Sequence, residues 1–140
     1  MVLLDTDHVS VLRFEQSPRA DALRERLQAA AEPLATTVVT VEEQMRGWLA
    51  EIGRCRRVSD QVTVYGRLLE FVRFISKWEM LPFDARAANE FERLRKQRIR
   101  IGSPDLKIAA IALVNNALLL SANLRDFKKV PGLRVENWLE

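Results

Sequence analysis

Short apolar runs without polar alternation recur along the chain, and the longer stretches between them carry apolar residues at every third or fourth position. The short runs are typical of strands buried on both faces of a parallel sheet, and the longer stretches are typical of helices with one buried face. Five runs predict strands: Val2–Asp5, Leu34–Val39, Glu79–Phe83, Ala117–Leu120 and Leu133–Glu136. The resulting order, β-α-α-β-α-α-β-α-α-β-(short α)-β, predicts an α/β fold with a mainly parallel sheet of four to five strands.

Residues that favour helix termini locate several of the predicted helices. Ser17 is followed by a proline, which predicts that the second helix begins there. Thr40 and Glu43 have the spacing of a capping box, so the third helix is predicted to begin at Thr40. Ser103 is predicted to cap the most apolar helix of the chain, over residues 105–116, which should be buried on most sides.

The length and composition favour one ordinary globular domain. The 140 residues are 48% apolar and 29% charged, which predicts a single domain over residues 1–140 that is long enough to bury a core. No apolar run approaches the roughly 20 residues that a membrane span needs, and no leader segment is visible. Cys55 is the only cysteine, which excludes an internal disulfide bond and fits a reducing cytoplasm. His8 is the only histidine, so a bound metal is expected to be a hard cation held by oxygen.

The charge balance is basic but modest. The net charge is +3, the pI is about 9.4, and 17 of the 22 basic residues are arginine. Arginine suits bidentate contacts with phosphate better than lysine does. A solvated basic surface and a polyanionic partner both fit this composition.

Polar side chains follow three of the predicted strands. Asp5, Glu43, Asn123 and Asp126 come after the first, second and fourth strands, and should therefore emerge at one edge of a parallel sheet. Asp105 begins the helix that leads into the fourth strand, and connectivity alone places it at the opposite edge. Each helix-start acid also has a simpler interpretation as a capping residue or a partner of the helix dipole.

Carboxylates gathered at one edge would repel one another and raise one another's pKa unless a cation neutralised them. Mg²⁺ or Mn²⁺ is the hard divalent cation that such oxygen ligands favour. One or two such ions support the in-line hydrolysis of a phosphodiester bond. The sequence therefore predicts a site for metal-assisted phosphate chemistry, with the number of ions left open.

Four segments, in order along the chain, together resemble one known family. They are Leu3–Asp7, Val38–Gly47, Pro104–Ala112 and Leu118–Phe127. This combination resembles the PIN-domain proteins of the VapC toxin type, and the resemblance covers essentially the whole chain. Each segment is weakly diagnostic alone, whereas the four in order form a specific pattern.

The resemblance implies a three-layer α/β/α sandwich and a metal-dependent endoribonuclease that acts as the toxin of a toxin–antitoxin pair. Asp5, Glu43 and Asp105 match the family's metal-binding acids, which hold Mg²⁺ or Mn²⁺ and activate water for RNA cleavage. The resemblance thus brings Asp105 into the site, which connectivity did not. Asn123 stands where the family has a fourth acid, and whether Asn123 or the nearby Asp126 completes the site stays open. The implied partners are RNA, a cognate antitoxin and a second copy of the chain.

A further group of polar residues is expected to contact substrate. Arginines close to the matched acids could hold phosphate oxygens, although a solvated helix face explains them equally well. The candidate substrate contacts are Arg46, Arg98, Arg100 and Ser121.

Two other interpretations of the sequence remain open. Asp5-Thr6-Asp7 after an apolar strand also fits a phosphotransferase of the haloacid-dehalogenase type, in which Asp5 and Asp7 do the chemistry. The neutral Asn123 keeps open a PIN-like RNA-binding module with little catalytic activity. Metal-dependent RNA cleavage, compared with phosphate release from small phosphoesters, separates the three interpretations.

Overall fold

Five short strands form one sheet in which all neighbouring strands are parallel. The structure, a computed structural model, describes residues 1–140. The strands lie in the order β3-β2-β1-β4-β5, so β1 is central. Their bounds are β1 Val2–Leu4, β2 Leu34–Thr37, β3 Glu79–Leu81, β4 Leu118–Leu120 and β5 Val135–Glu136. The predicted α/β fold and parallel sheet are confirmed, and β3, which ends just before Pro82, lies at an edge of the sheet.

Seven helices connect the strands in the order that the sequence predicts. They are α1 Thr6–Phe14, α2 Pro18–Ala30, α3 Val38–Arg54, α4 Val58–Ile75, α5 Ala85–Lys96, α6 Ser103–Val114 and α7 Leu124–Phe127. Ser17 caps α2 as expected, because its hydroxyl accepts a hydrogen bond from the amide of Ala20. None of the helices combines the length and hydrophobicity that a membrane-spanning segment requires.

The helices cover both faces of the sheet and bury two separate cores. Leu3 of β1 points into a core formed with α5, α6 and α7, whereas Val2 and Leu4 point into a core formed with α1, α2 and α4. All three side chains are fully buried, as expected for the central strand of a parallel sheet. The expected three-layer α/β/α sandwich is therefore confirmed.

The boundary between β2 and α3 differs from the sequence prediction. The strand ends at Thr37, and α3 begins at Val38 instead of Thr40. Thr37 is the N-cap: its hydroxyl oxygen accepts a hydrogen bond from the amide of Thr40 at 3.0 Å and lies 2.9 Å from the Thr40 hydroxyl. The predicted capping box is wrong because Thr40 is already inside the helix, so Glu43 is not needed as a cap.

The position of α6 also corrects the sequence analysis. A helix that leads into a parallel strand ends at the amino edge of the sheet, and must therefore begin at the carboxyl edge. The amide of Ala117, next to the start of β4, accordingly donates to the carbonyl of Ala112 near the end of α6. The expectation from connectivity that Asp105 lies at the opposite edge is wrong. The predicted Ser103 cap is wrong too, since the N-cap is Gly102, which has no side chain to offer.

Candidate metal centre

Asp5 lies at the carboxyl end of the central strand and is the most buried carboxylate of the site. Its side chain is 7% exposed, and it also serves as the N-cap of α1. One oxygen accepts a hydrogen bond from the Thr6 amide at 2.8 Å, and the other accepts one from the Ser121 hydroxyl at 2.9 Å. Burial raises the pKa of Asp5 to about 6, and the charges of Asp7 and Asp105 contribute to the rise. The ionised form of Asp5 is therefore less stable in the folded protein than in water, because its two hydrogen bonds do not replace the lost hydration.

Asp105 and Asp126 face each other across Asn123. The Asn123 side-chain amide donates to Asp105 Oδ2 at 3.3 Å and to Asp126 Oδ2 at 3.1 Å. Burial raises the pKa of Asp105, and the charge of Asp126 adds to this effect. The hydrogen bond from Asn123 and the nearby ammonium of Lys129 hold the pKa of Asp126 below its ordinary value. In this arrangement Asn123 acts as a donor between two carboxylates, and its amide would have to turn to offer its oxygen to a cation.

Glu43 reaches the same edge from the second turn of α3. Its carboxylate accepts no hydrogen bond, while burial and then the charges of Asp105 and Glu42 raise its pKa. The influence of Asp105 on Glu43 and on Asp5 places the three acids of separate elements around one region. The structure thus places the three predicted acids at one edge of the sheet, and their role as metal ligands stays a prediction.

The chemistry of these residues fits a hard divalent cation. No three acidic, histidine or cysteine side chains lie close enough together to hold a metal ion without moving. The nearby oxygen donors are nevertheless carboxylates and one amide, which are the ligands that Mg²⁺ and Mn²⁺ prefer. Burial raises the pKa of Asp5, Glu43 and Asp105, the charges of neighbouring carboxylates add to each rise, and a bound cation would relieve both effects. A cation would have to draw these carboxylates closer together.

Asp7 has a role that the sequence did not indicate. One carboxylate oxygen lies 2.6 Å from His8 Nδ1, and the other accepts a hydrogen bond from the amide of Ala122 at 2.9 Å. Ala122 is far from Asp7 along the chain, so no local sequence signal reveals the contact. Because both oxygens are engaged, this arrangement does not fit the phosphotransferase interpretation, in which Asp7 would exchange protons with a substrate.

The four candidate substrate contacts lie in different surroundings. Arg46 is exposed, one turn beyond Glu42 on α3, and forms an ion pair with it at 2.7 Å. Arg98 and Arg100 are exposed in the loop before α6, and the Arg100 carbonyl accepts a hydrogen bond from Lys129 at 3.2 Å. Ser121 is fully buried and donates to Asp5, which does not fit the predicted contact with substrate. Ser121 instead orients Asp5 through this hydrogen bond.

A protein-family model described as "PIN domain" matches residues 2–133 of the chain. Among curated proteins, Ribonuclease VapC2 of Rickettsia felis is 36% identical over 69 residues, which are 46% of this chain and 52% of that protein. The tRNA(fMet)-specific endonuclease VapC of Salmonella typhimurium matches with the same identity and the same shares of both chains. Ribonuclease VapC of Rickettsia bellii is 38% identical over 84 residues, 56% of this chain and 62% of that protein. The chain spans about half the length of the curated relatives it matches.

Solved structures match the fold over almost the whole chain. The DNA-bound VapBC of Salmonella typhimurium matches with a TM-score of 0.75 and 24% identity, over 98% of this chain and 97% of that one. VapBC2 of Rickettsia felis, bound to a promoter DNA fragment, matches with a TM-score of 0.72 and 24% identity over 99% of both chains. VapBC-5 of Mycobacterium tuberculosis matches with a TM-score of 0.60 and 26% identity, over 96% of this chain and 94% of that one.

Proposed function

Because the chain belongs to the PIN domain family, we propose that it is a metal-dependent endoribonuclease that hydrolyses RNA phosphodiester bonds. The observation that carries this proposal is the position of Asp5, Glu43 and Asp105 at one edge of the sheet, where burial and then neighbouring carboxylates raise the pKa of each. The curated relatives, which are named as ribonucleases or a tRNA endonuclease, support RNA as the substrate class.

The proposed mechanism assigns a separate task to each acid. Asp5 and Asp105 would hold Mg²⁺ or Mn²⁺, and the ion would neutralise charge on the phosphate oxygens and lower the pKa of water. Glu43 orients the attacking water and accepts its proton, because its carboxylate is free of hydrogen bonds and its pKa is raised. Asn123 and Asp126 complete the polar edge beside Asp105.

Exposed arginines are proposed to hold the RNA backbone. Arg46 lies one turn from Glu43, and the loop of Arg98 and Arg100 leads directly into α6 and Asp105. Contacts of this kind add affinity that depends on salt, and they do not select a sequence. The proposed interface therefore positions RNA next to the acids.

We also propose that the protein is the toxin of a toxin–antitoxin pair, working in the cytoplasm as a homodimer with a cognate antitoxin. VapBC-5 of Mycobacterium tuberculosis, whose structure matches this chain, is a member of the VapBC family of toxin–antitoxin systems, which supports an antitoxin partner. Apolar side chains also line an exposed stripe on α4 at alternating spacings of four and three residues, which is typical of a helix that packs against another chain. The stripe consists of Val58, Val62, Tyr65, Leu69 and Val72.

The test of the proposed nuclease is the Asp105→Asn variant. Replacing a metal-binding oxygen and its charge should lower Mn²⁺-dependent cleavage of total cellular RNA by at least about 100-fold, because even residues that only support a ligand cost 10–100-fold. Cleavage is measured by sequencing the RNA ends, and folding by circular dichroism. The control is Asp21→Asn on the exposed side of α2, which should cleave like wild type. Equal cleavage by Asp105→Asn would remove Asp105 from the site, and absence of cleavage by the wild type would leave a binding module.

A further inference from the structure

The turn between β4 and α7, residues Ser121–Asn123, contacts carboxylates at every position. Its outer residues contact acids of the proposed metal site: Ser121 donates to Asp5, and Asn123 donates to Asp105. The turn also has an internal hydrogen bond, which the backbone amide of Asn123 donates to the Ser121 hydroxyl at 3.0 Å. The position of this turn therefore sets the orientation of two proposed metal ligands.

The middle of the turn is held by Asp7. The amide of Ala122 donates to Asp7 Oδ2 at 2.9 Å, while Asp7 Oδ1 accepts from the backbone amide of His8 at 2.7 Å and faces His8 Nδ1 at 2.6 Å. Both carboxylate oxygens of Asp7 are therefore already engaged in hydrogen bonds.

His8 connects Asp7 to the C-terminal segment of the chain. The imidazole is fully buried, and its Nε2 lies 3.1 Å from the backbone amide nitrogen of Trp138. A backbone N–H can only donate, so Nε2 must be the acceptor and the ring proton must reside on Nδ1. The Nδ1–H group then donates to Asp7, and the two contacts together define one neutral tautomer.

Trp138 is itself firmly held. Its side chain is 9% exposed, and its indole nitrogen donates to Glu136 at 3.0 Å. The Arg26 guanidinium of α2 lies 4.2 Å from the centre of the indole ring. Trp138 thus provides a fixed end for a chain of hydrogen bonds that runs through His8 and Asp7 to Ala122.

We propose that Asp7 and His8 are positioning residues, which anchor the Ser121–Asn123 turn to Trp138 and so set the divalent-metal affinity of a site that neither residue touches. This inference rests on the proposed metal-dependent function, and deepens it by assigning a role to the C-terminal segment. Outer partners that orient metal-binding side chains typically change metal affinity by 10–100-fold when they are removed.

The first test is the tautomer of His8, measured by ¹⁵N–¹H correlation spectra of the imidazole. His8 is the only histidine, so its ring signals need no assignment by mutation. The expected wild-type spectrum shows the proton on Nδ1. Asp7→Asn has only one acceptor oxygen for the three donors that contact Asp7, so it should change the tautomer or shift the Ala122 amide. A wild-type ring protonated on Nε2 would overturn the proposal.

The second test is a double-mutant cycle on the Kd for Mn²⁺, measured by calorimetry. Asp7→Asn and His8→Leu should each weaken binding by about tenfold or more, and the double variant should be no weaker than the worse single one, because both break the same chain of contacts. If Asp7 were itself a ligand, Asp7→Asn would weaken binding while folded His8→Leu would bind as wild type, and this would overturn the proposal. Asp21→Asn is the matched control, since it removes an exposed acid away from the site.

The outcomes separate this proposal from the proposed function. Wild type that binds Mn²⁺ and cleaves RNA, with Asp7→Asn binding Mn²⁺ equally well, overturns the positioning role alone. Wild type that binds no Mn²⁺ overturns the metal-dependent function, and the positioning role falls with it. Circular dichroism confirms that each variant is folded, and should His8→Leu fail to fold, His8→Phe replaces it in the cycle, because its ring has no nitrogen to donate or accept. His8→Gln is the conservative variant, because an amide can still donate to Asp7 and accept from Trp138. Rescue of Mn²⁺ affinity by His8→Gln would support the hydrogen-bond relay.

Discussion

At the scale of single residues, Asp5 is the carboxylate of the candidate site whose environment departs most from water. It is 7% exposed and accepts hydrogen bonds from the Thr6 amide and the Ser121 hydroxyl, which do not offset the loss of hydration and the nearby negative charges. Its pKa is therefore raised to about 6, and the metal-free folded state favours the protonated form. A cation would replace that proton when it binds, so metal affinity should fall as the pH drops below about 6.

The raised pKa of Asp5 predicts a pH-dependent stability difference between wild type and Asp5→Asn. Between pH values of 3.8 and about 6 the folded wild type binds more protons at Asp5 than the unfolded chain does, so its stability falls as the pH rises. The rise of the pKa from 3.8 to about 6 corresponds to about 3 kcal/mol. In EDTA, Asp5→Asn should therefore melt several degrees above wild type at about pH 7.5, and the gap should close toward about pH 4. Thermal melts that show the same gap at both pH values would contradict this prediction.

Glu43 gives a second prediction at this scale. Since Thr37 caps α3, Glu43 has no capping role to lose, and Glu43→Gln should leave the helix intact. Gln cannot take up the proton of the attacking water, so RNA cleavage should fall at least about 100-fold. The melting temperature in EDTA should stay the same or rise, because a repulsive charge is gone. Cleavage rates and melts of the purified variant provide the measurement, and near-wild-type turnover would remove Glu43 from the catalytic group.

At the scale of elements, the junction between β2 and α3 fixes the direction of the helix that carries Glu43. Thr37 ends the strand, pairs in register with Leu81 of β3, and caps α3 through its hydroxyl. Thr36 secures the same junction, because its hydroxyl donates to the carbonyl of Leu4 at 2.9 Å. The position of Glu43 thus depends on contacts between β1, β2 and the first turn of α3.

Thr37→Val tests the junction, because it keeps the side-chain shape and removes the capping oxygen. The buried amide and hydroxyl of Thr40 would each lose their partner, so the free energy of unfolding should fall by about 1–2 kcal/mol. Urea denaturation measures the change. Thr63→Val on the exposed side of α4 is the matched control and should change stability by less than about 0.5 kcal/mol. Equal effects of the two substitutions would show that Thr37 does not act as a cap.

At the scale of the whole molecule, the candidate site exists only when separate parts of the chain have assembled. Asp5 follows β1, Glu43 belongs to α3, Asp105 begins α6, and Asn123 follows β4. The unfolded chain holds these side chains far apart, so a cation that needs several of them should bind the folded state alone. Such binding couples metal concentration to global stability.

The melting temperature should therefore rise with the logarithm of free divalent metal. Mn²⁺ should give a larger rise than Mg²⁺, following the general affinity order and its easier dehydration. Asp5→Asn should lose most of this rise, whereas Asp21→Asn should keep it. Differential scanning calorimetry across a metal titration measures both. A melting temperature indifferent to millimolar Mn²⁺ would mean that the acids do not form a metal site.

The sequence by itself determined the order of the elements, the parallel sheet and the segments that contain the site. These features follow from short-range patterns. Uninterrupted apolar runs form buried strands, and apolar residues spaced three and four positions apart form helices with one buried face. The motifs around Asp5, Glu43 and Asp105 could be recognised for the same reason, since each lies within ten residues of chain and keeps its own spacing.

Only the tertiary structure decided the details that depend on distant partners. Thr37 and Thr40 are both good capping residues, and the pairing of β2 with its neighbours determines which of them ends the strand. The contact between Asp7 and Ala122 joins residues 115 positions apart, and the buried hydroxyl of Ser121 reaches Asp5 over 116 positions. Local preferences cannot specify such contacts, because they are fixed by the packing of whole strands and helices against one another.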